Sequence, residues 1–184
     1  MLKRDEALKL IKKHVSKKNA IYHMLAVEAI MRSMAKHFGE DEEFWGLVGL
    51  LHDVDYEKTE AVPEKHSLVA EGILKGLVSD EIIRAIKAHN AEYSRVMPEN
   101  RMEKALIACD AISGLLVACA LVMPSKKLAD VRAETVAKKF RDKDFARGAG
   151  RERIVVCEEI GVPKERFFEV SLNGLRSIAA EIGL

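Results

Sequence analysis

Along this chain apolar residues recur at spacings of three and four, and no run of alternating apolar and polar residues develops anywhere. Such spacing puts one apolar stripe on each of a series of helices and offers no half-buried strand, so the predicted fold class is all-α. The first helix is expected from about Asp5 to Val15, and the second from an Asn19 N-cap to His37, with Gly39 just beyond. Asp41 caps a third that ends near Val54, Pro63 opens a fourth reaching Leu77, and Ser79 with Asp80 and Glu81 opens a fifth reaching Ala91. Pro98 precedes a long apolar sixth that Pro124 ends, and two further helices follow, parted by Gly161-Val162-Pro163. The 184 residues suffice for one core. A boundary near Pro124 divides them into a helical bundle, 1–124, and a C-terminal helical extension, 125–184, packed on it.

Charge narrows the partners. Charged residues make up 32% of the chain but the net charge is only +1, which argues against a dedicated nucleic-acid binder. From Ser125 to Arg153 there are ten Lys or Arg against five Asp or Glu, a solvated or anion-facing stretch. Cys109, Cys119 and Cys157 form no C-x-x-C pair and sit in apolar helical settings, as reduced core thiols do. The charged N-terminal stretch MLKRDEALKLIKKHV has no signal-peptide core, so the expected location is cytoplasmic. Ala105 to Met123 is long and apolar enough to raise a membrane span, but it contains Asp110, at a cost of about 2.5–3.5 kcal/mol near mid-membrane. A buried bundle helix with Gly114 admitting a close neighbour is the expectation, with no membrane involved.

The third helix is where chemistry first shows. In GLVGLLHDVDY the apolar run stops on His52-Asp53, although a carboxylate is ill placed at the negative end of a helix dipole. His23 shares a stripe with Val27, Ile30, Met31 and Met34; His66 with Ala70, Ile73 and Leu74; His89 with Ile82, Ala85 and Ile86. Each alone would pass as a hydrogen-bonded core histidine. Asp110, among Leu106, Ile107, Gly114 and Val117, is the sharper anomaly, because a buried carboxylate is costly without a cation or donors. Taken together, these inward imidazoles and carboxylates match the ligand set that helical bundles offer to divalent transition metals. The expected place of His66 in the first turn of a helix favours its neutral, metal-binding form. His14 and His37 read as surface or capping residues, Tyr56 and Tyr93 as packing. Asp55 and Glu57 read either as supports for the ligands or as a solvated loop.

The ordered set His23, His52-Asp53, His66, His89 and Asp110 resembles the HD superfamily of metal-dependent phosphohydrolases, over residues 20–125. The resemblance implies one ion held by His23, His52, Asp53 and Asp110, and a second held by His66 and His89 with Asp53 as bridge. The ions would be Mn, Fe, Co, Ni or Zn, and His52 and Asp53 the catalytic pair. The HD-GYP branch has Gly-Lys after its doublet and later a pair of adjacent histidines. Here Val54-Asp55-Tyr56 and His89-Asn90 stand instead, which counts against cyclic dinucleotide cleavage.

The reaction implied is hydrolysis of a phosphate ester on a nucleotide or another small phosphorylated metabolite. Two metals about 3.5–4 Å apart would activate a water and offset charge on the phosphoryl and leaving oxygens. Lys58, Arg84, Arg95, Lys139, Arg147 and Arg151 are the candidate phosphate-binding cations. The same ligands also resemble di-iron HD oxygenases such as the inositol oxygenase group, and a non-catalytic, metal-stabilised nucleotide-sensing module is a third reading. Association with a second copy of the chain is left open.

Overall fold

Every regular element among residues 2–184, which the computed structural model describes, is a helix or a short 3-10 turn. The helices are α1 (Arg4–His14), α2 (Lys18–Phe38), α3 (Glu42–Leu51), α4 (Tyr56–Thr59), α5 (Leu68–Leu74) and α6 (Asp80–Ala88). They continue as α7 (Ala91–Ser94), α8 (Arg101–Leu121), α9 (Ala133–Arg141), α10 (Arg151–Glu159), α11 (Lys164–Arg176) and α12 (Ala179–Ile182). Local chemistry sets several ends. Gly39 closes α2 in the left-handed region at φ 71°, Asp41 accepts from the N–H groups of Glu43 (2.9 Å) and Phe44 (3.0 Å), and Asn100 and Glu103 cap α8 reciprocally. Helix α2 starts one residue before Asn19, with Lys17 at the cap position.

Three expectations change. The fourth helix is split into a 3-10 turn, Pro63–Lys65, and α5, because Ser67 sits in the left-handed region at φ 68°. Asp55, from the turn after α3, accepts the N–H groups of Ser67 and Ala70, each at 2.9 Å, and so caps α5 from a distance. His66 therefore lies in the break and not in a first helical turn. The fifth helix likewise breaks at His89-Asn90, between α6 and α7. Beyond Pro124 there is more helix than expected, since α9 and the short α12 join α10 and α11.

Packing centres on α2 and α8. Helix α2 lies against α3, α8 and α11, and two glycines permit backbone contact with it. A Cβ on Gly49 of α3 would stand 2.9 Å from Val27 O and 3.0 Å from Glu28 Cα, and one on Gly174 of α11 would stand 2.7 Å from Ala29 O. Gly114, expected to admit a neighbour, faces open space instead. Helix α8 is long and apolar enough to cross a membrane by length and composition, and 61% of its most apolar window is buried against the other helices. Phe167, Phe168, Leu172 and Leu175 of α11 share one core with Met24, Ile30 and Met31 of α2 and with Leu106, Ile112 and Leu115 of α8. The three cysteines are buried and free, and burial pushes the thiol of Cys119 up to about 11 and that of Cys157 up to about 12.

Candidate metal centre

Five segments deliver the side chains expected to meet. His23 lies in the second turn of α2, His52 and Asp53 in the turn where α3 ends, His66 in the break before α5, His89 just past α6, and Asp110 in the middle of α8. Asp53 closes no helix. The chain turns over residues 52–55, and Asp53 Oδ1 comes within 3.3 Å of His66 Nε2, 3.4 Å of His52 Nε2 and 3.7 Å of His89 Nε2. Asp110 Oδ1 lies 3.1 Å from His23 Nε2 and 3.7 Å from His52 Nε2. His52 and His89 are buried, while the Asp53 and Asp110 side chains keep 16% and 21% of their surface exposed, so the cluster is open on one side.

All four imidazoles are oriented in the same way. His52 Nδ1 donates to Gly49 O at 2.8 Å, His89 Nδ1 to Ile86 O, and His66 Nδ1 to Asp55 Oδ1 at 2.9 Å. Carbonyl and carboxylate oxygens only accept, so these three Nδ1 atoms carry protons. Ser113 gives its hydroxyl hydrogen to Asp110 O at 2.8 Å and thus accepts from His23 Nδ1 at 3.1 Å, fixing the fourth. The four Nε2 atoms turn inward and meet in pairs, His23 to His52 at 3.2 Å and His66 to His89 at 3.0 Å. With Nδ1 already donating, two Nε2 atoms this close need a proton or a metal ion to join them, and an imidazole held by a donated Nδ1–H is how histidine commonly ligates metals.

Electrostatics agree with the geometry. Burial would lift Asp53 and Asp110, but the neighbouring imidazoles outweigh it and hold both carboxyls below the usual range, Asp53 well below. Burial disfavours charge on His66, yet Asp53 and Asp55 outweigh it and push its pKa up to about 10. His52 is likewise raised against its burial by Asp53 and Asp110, whereas burial prevails at His89 and lowers it. The carboxylates thus call for positive charge at this spot, which a divalent ion supplies. Two ligand groups, His23 with His52 and Asp53, and Asp53 with His66 and His89, each have donor atoms within 4.8 Å of one another and share Asp53.

Three clefts meet at the cluster. The first is lined by Lys17, Lys18, Asn19, Ala20 and Tyr56 beside His23 and Asp53. The second, of about 300 Å³, runs past Tyr56, Thr59, His66, His89, Asn90 and Arg153. The third runs between His23, Asp110 and Gly114 on one side and 148–150 and Arg153 on the other.

None of the six expected phosphate-binding cations borders these clefts. Arg84 pairs with Glu99 at 2.5 Å and lies 3.2 Å from Glu103, Arg147 pairs with Asp144, and Lys139 lies over the Phe145 ring. Arg151 is consumed by carbonyls of the 139–149 segment, among them Phe140, Ala146 and Ala149, which it staples into a loop. Lys58 is exposed and close enough to His14 to depress its pKa, after burial, and Arg95 is exposed at the end of α7. Sequence reasoning passed over Arg153, Ser113 and Asn90, whose Nδ2 donates to His66 O at 2.9 Å. It left Asp55 between two readings, and the buried side chain with three donors settles for the support of His66. Glu57 instead accepts from the backbone N–H groups of Ser16 and Lys17.

Comparison with known proteins gives the family. A family model described as HD domain matches residues 20–115, which include all six side chains of the cluster. Ribonuclease Y of Pseudothermotoga lettingae is 30% identical over 146 residues, which cover 76% of this chain and 28% of that protein. Ribonuclease Y of Thermosipho melanesiensis is 29% identical over 150 residues, covering 75% and 28%, and that of Protochlamydia amoebophila 30% over 146, covering 77% and 28%. The chain therefore spans little more than a quarter of the length of these curated relatives. No solved structure matches.

Proposed function

The chain belongs to the HD-domain family, and we propose that it hydrolyses a phosphate ester, on a nucleotide or another small phosphorylated metabolite, at a centre of two divalent ions. HD domains bind divalent metals, and the observation that supports the finer reading is the pairing of four inward Nε2 atoms around the two carboxylates. His23, His52, Asp53 and Asp110 would hold one ion, and His66 and His89 the other, with Asp53 shared. When bound, such ions bring a water's pKa near neutrality and neutralise charge on phosphoryl oxygens. The chain itself contributes position: the Nδ1 hydrogen bonds hold the rings, Asp55 holds His66, and Tyr56 and Asn90 wall the cleft in which a phosphate would sit.

The likeness to Ribonuclease Y favours a second reading, in which the ester is a phosphodiester of RNA. A net charge of +1 supports the small substrate first. Both are tested by one experiment. Metal-free protein is loaded with Mn2+ and offered mononucleotides, p-nitrophenyl phosphate, bis(p-nitrophenyl) phosphate and a short oligoribonucleotide. Turnover of monoesters alone supports the first reading, and cleavage of the oligoribonucleotide supports the second. Asp53→Ala is expected to lower turnover about a hundredfold or more, because it removes a ligand shared by both ions. A folded Asp53→Ala protein with parental turnover would overturn both readings.

A further inference from the structure

Arg153 reaches the centre from α10, outside the matched 20–115 segment. Its Nη2 lies 2.7 Å from Asp110 Oδ2 and 3.4 Å from His89 O. Both contacts run through that one nitrogen, and the buried Nε has no hydrogen-bond partner. Arg153 also borders two of the three clefts that meet at the cluster. The lysines of the remaining cleft are engaged elsewhere, Lys17 with Glu60 and Lys18 over the Tyr22 ring. A buried, unpartnered guanidinium N–H is costly and rarely left idle.

We propose that Arg153 is a substrate-binding residue that holds Asp110 and a phosphate together at this centre. Its Nη2 takes Asp110 Oδ2 and leaves Oδ1, which faces His23 and His52, for an ion. Its remaining N–H groups, at the wall of the cleft, would form a planar fork for the oxygens of a phosphate, a geometry that an ammonium does not reproduce. Arg153 thus shares Asp110 with the metal and grips the phosphate beside it. This inference rests on the metal-dependent reading above, and its first test is independent of turnover.

The probes are Mn2+ titrated into metal-free protein and inorganic phosphate titrated into the Mn2+-loaded protein, both by calorimetry, for the parent, Arg153→Met and Arg153→Lys. Arg153→Met removes the neighbouring cation, so Mn2+ is expected to bind about three- to tenfold more tightly. Inorganic phosphate is expected to bind about ten- to a hundredfold more weakly, the range for losing hydrogen bonds to a charged group. Arg153→Lys keeps the charge and loses the fork, so Mn2+ affinity should stay within about twofold while phosphate affinity falls severalfold. Where Arg153→Met fails to fold, Arg153→Lys alone decides. Unchanged Mn2+ and phosphate affinities in a folded variant, with only the melting temperature lowered, would overturn the proposal and leave the metal-dependent reading standing. A parent that binds no Mn2+ overturns both.

Discussion

Asp55 accepts from His66 Nδ1, Ser67 N–H and Ala70 N–H, so one buried carboxylate both fixes the tautomer of a proposed ligand and starts the helix behind it. An amide there would have to turn its NH2 towards one of these donors. Asp55→Asn is therefore expected to weaken Mn2+ binding about ten- to a hundredfold. It should also lower unfolding free energy by about 1–3 kcal/mol, through one unsatisfied buried donor. Calorimetry and urea denaturation check the two effects, and an Asp55→Asn protein that matches the parent in both would show the carboxylate to be dispensable. The same residues show what could be read beforehand. His23, His52, Asp53, His66, His89 and Asp110 were legible because each is a polar side chain on an apolar stripe, a conflict visible in one dimension. Arg153 was not, since it sits in a basic stretch, 43 residues from the carboxylate it meets, and nothing local separates it from the solvated cations around it.

At the scale of elements, helix identity followed from periodicity, but two breaks did not. His66 and His89 both lie where a continuous helix was expected, and the interruptions come from tertiary hydrogen bonds and a left-handed Ser67 that no local pattern announces. The glycines also depart from expectation. Gly114, in the apolar helix, meets nothing, whereas Gly49 and Gly174 carry the close contacts to α2. Gly49→Ala pushes a methyl against backbone atoms that cannot swing aside and is expected to destabilise the fold by about 1–3 kcal/mol. Gly114→Ala, in open space within a helix, should instead stabilise by about 0.5–1 kcal/mol. Urea denaturation of the two variants, moving in opposite directions, checks the assignment, and equal midpoints would refute it.

At the scale of the molecule, the 125–184 segment contributes to the same core as the rest. Burying a large apolar side chain is worth about 1.5–3 kcal/mol, so Phe167, Phe168, Leu172 and Leu175 together represent about 6–12 kcal/mol, comparable with the whole stability of an ordinary domain. A fragment of residues 1–124 is therefore expected to lose cooperative thermal unfolding, as read by circular dichroism. A sharp transition in that fragment would mark the first 124 residues as self-sufficient. Where α3 rests on α2 through Gly49 the two backbones already touch, and the carbonyl of that same glycine takes the Nδ1 hydrogen of His52. The spacing of His23, on α2, and His52, at the end of α3, is thus held by main chain and not by side chains that could swing away.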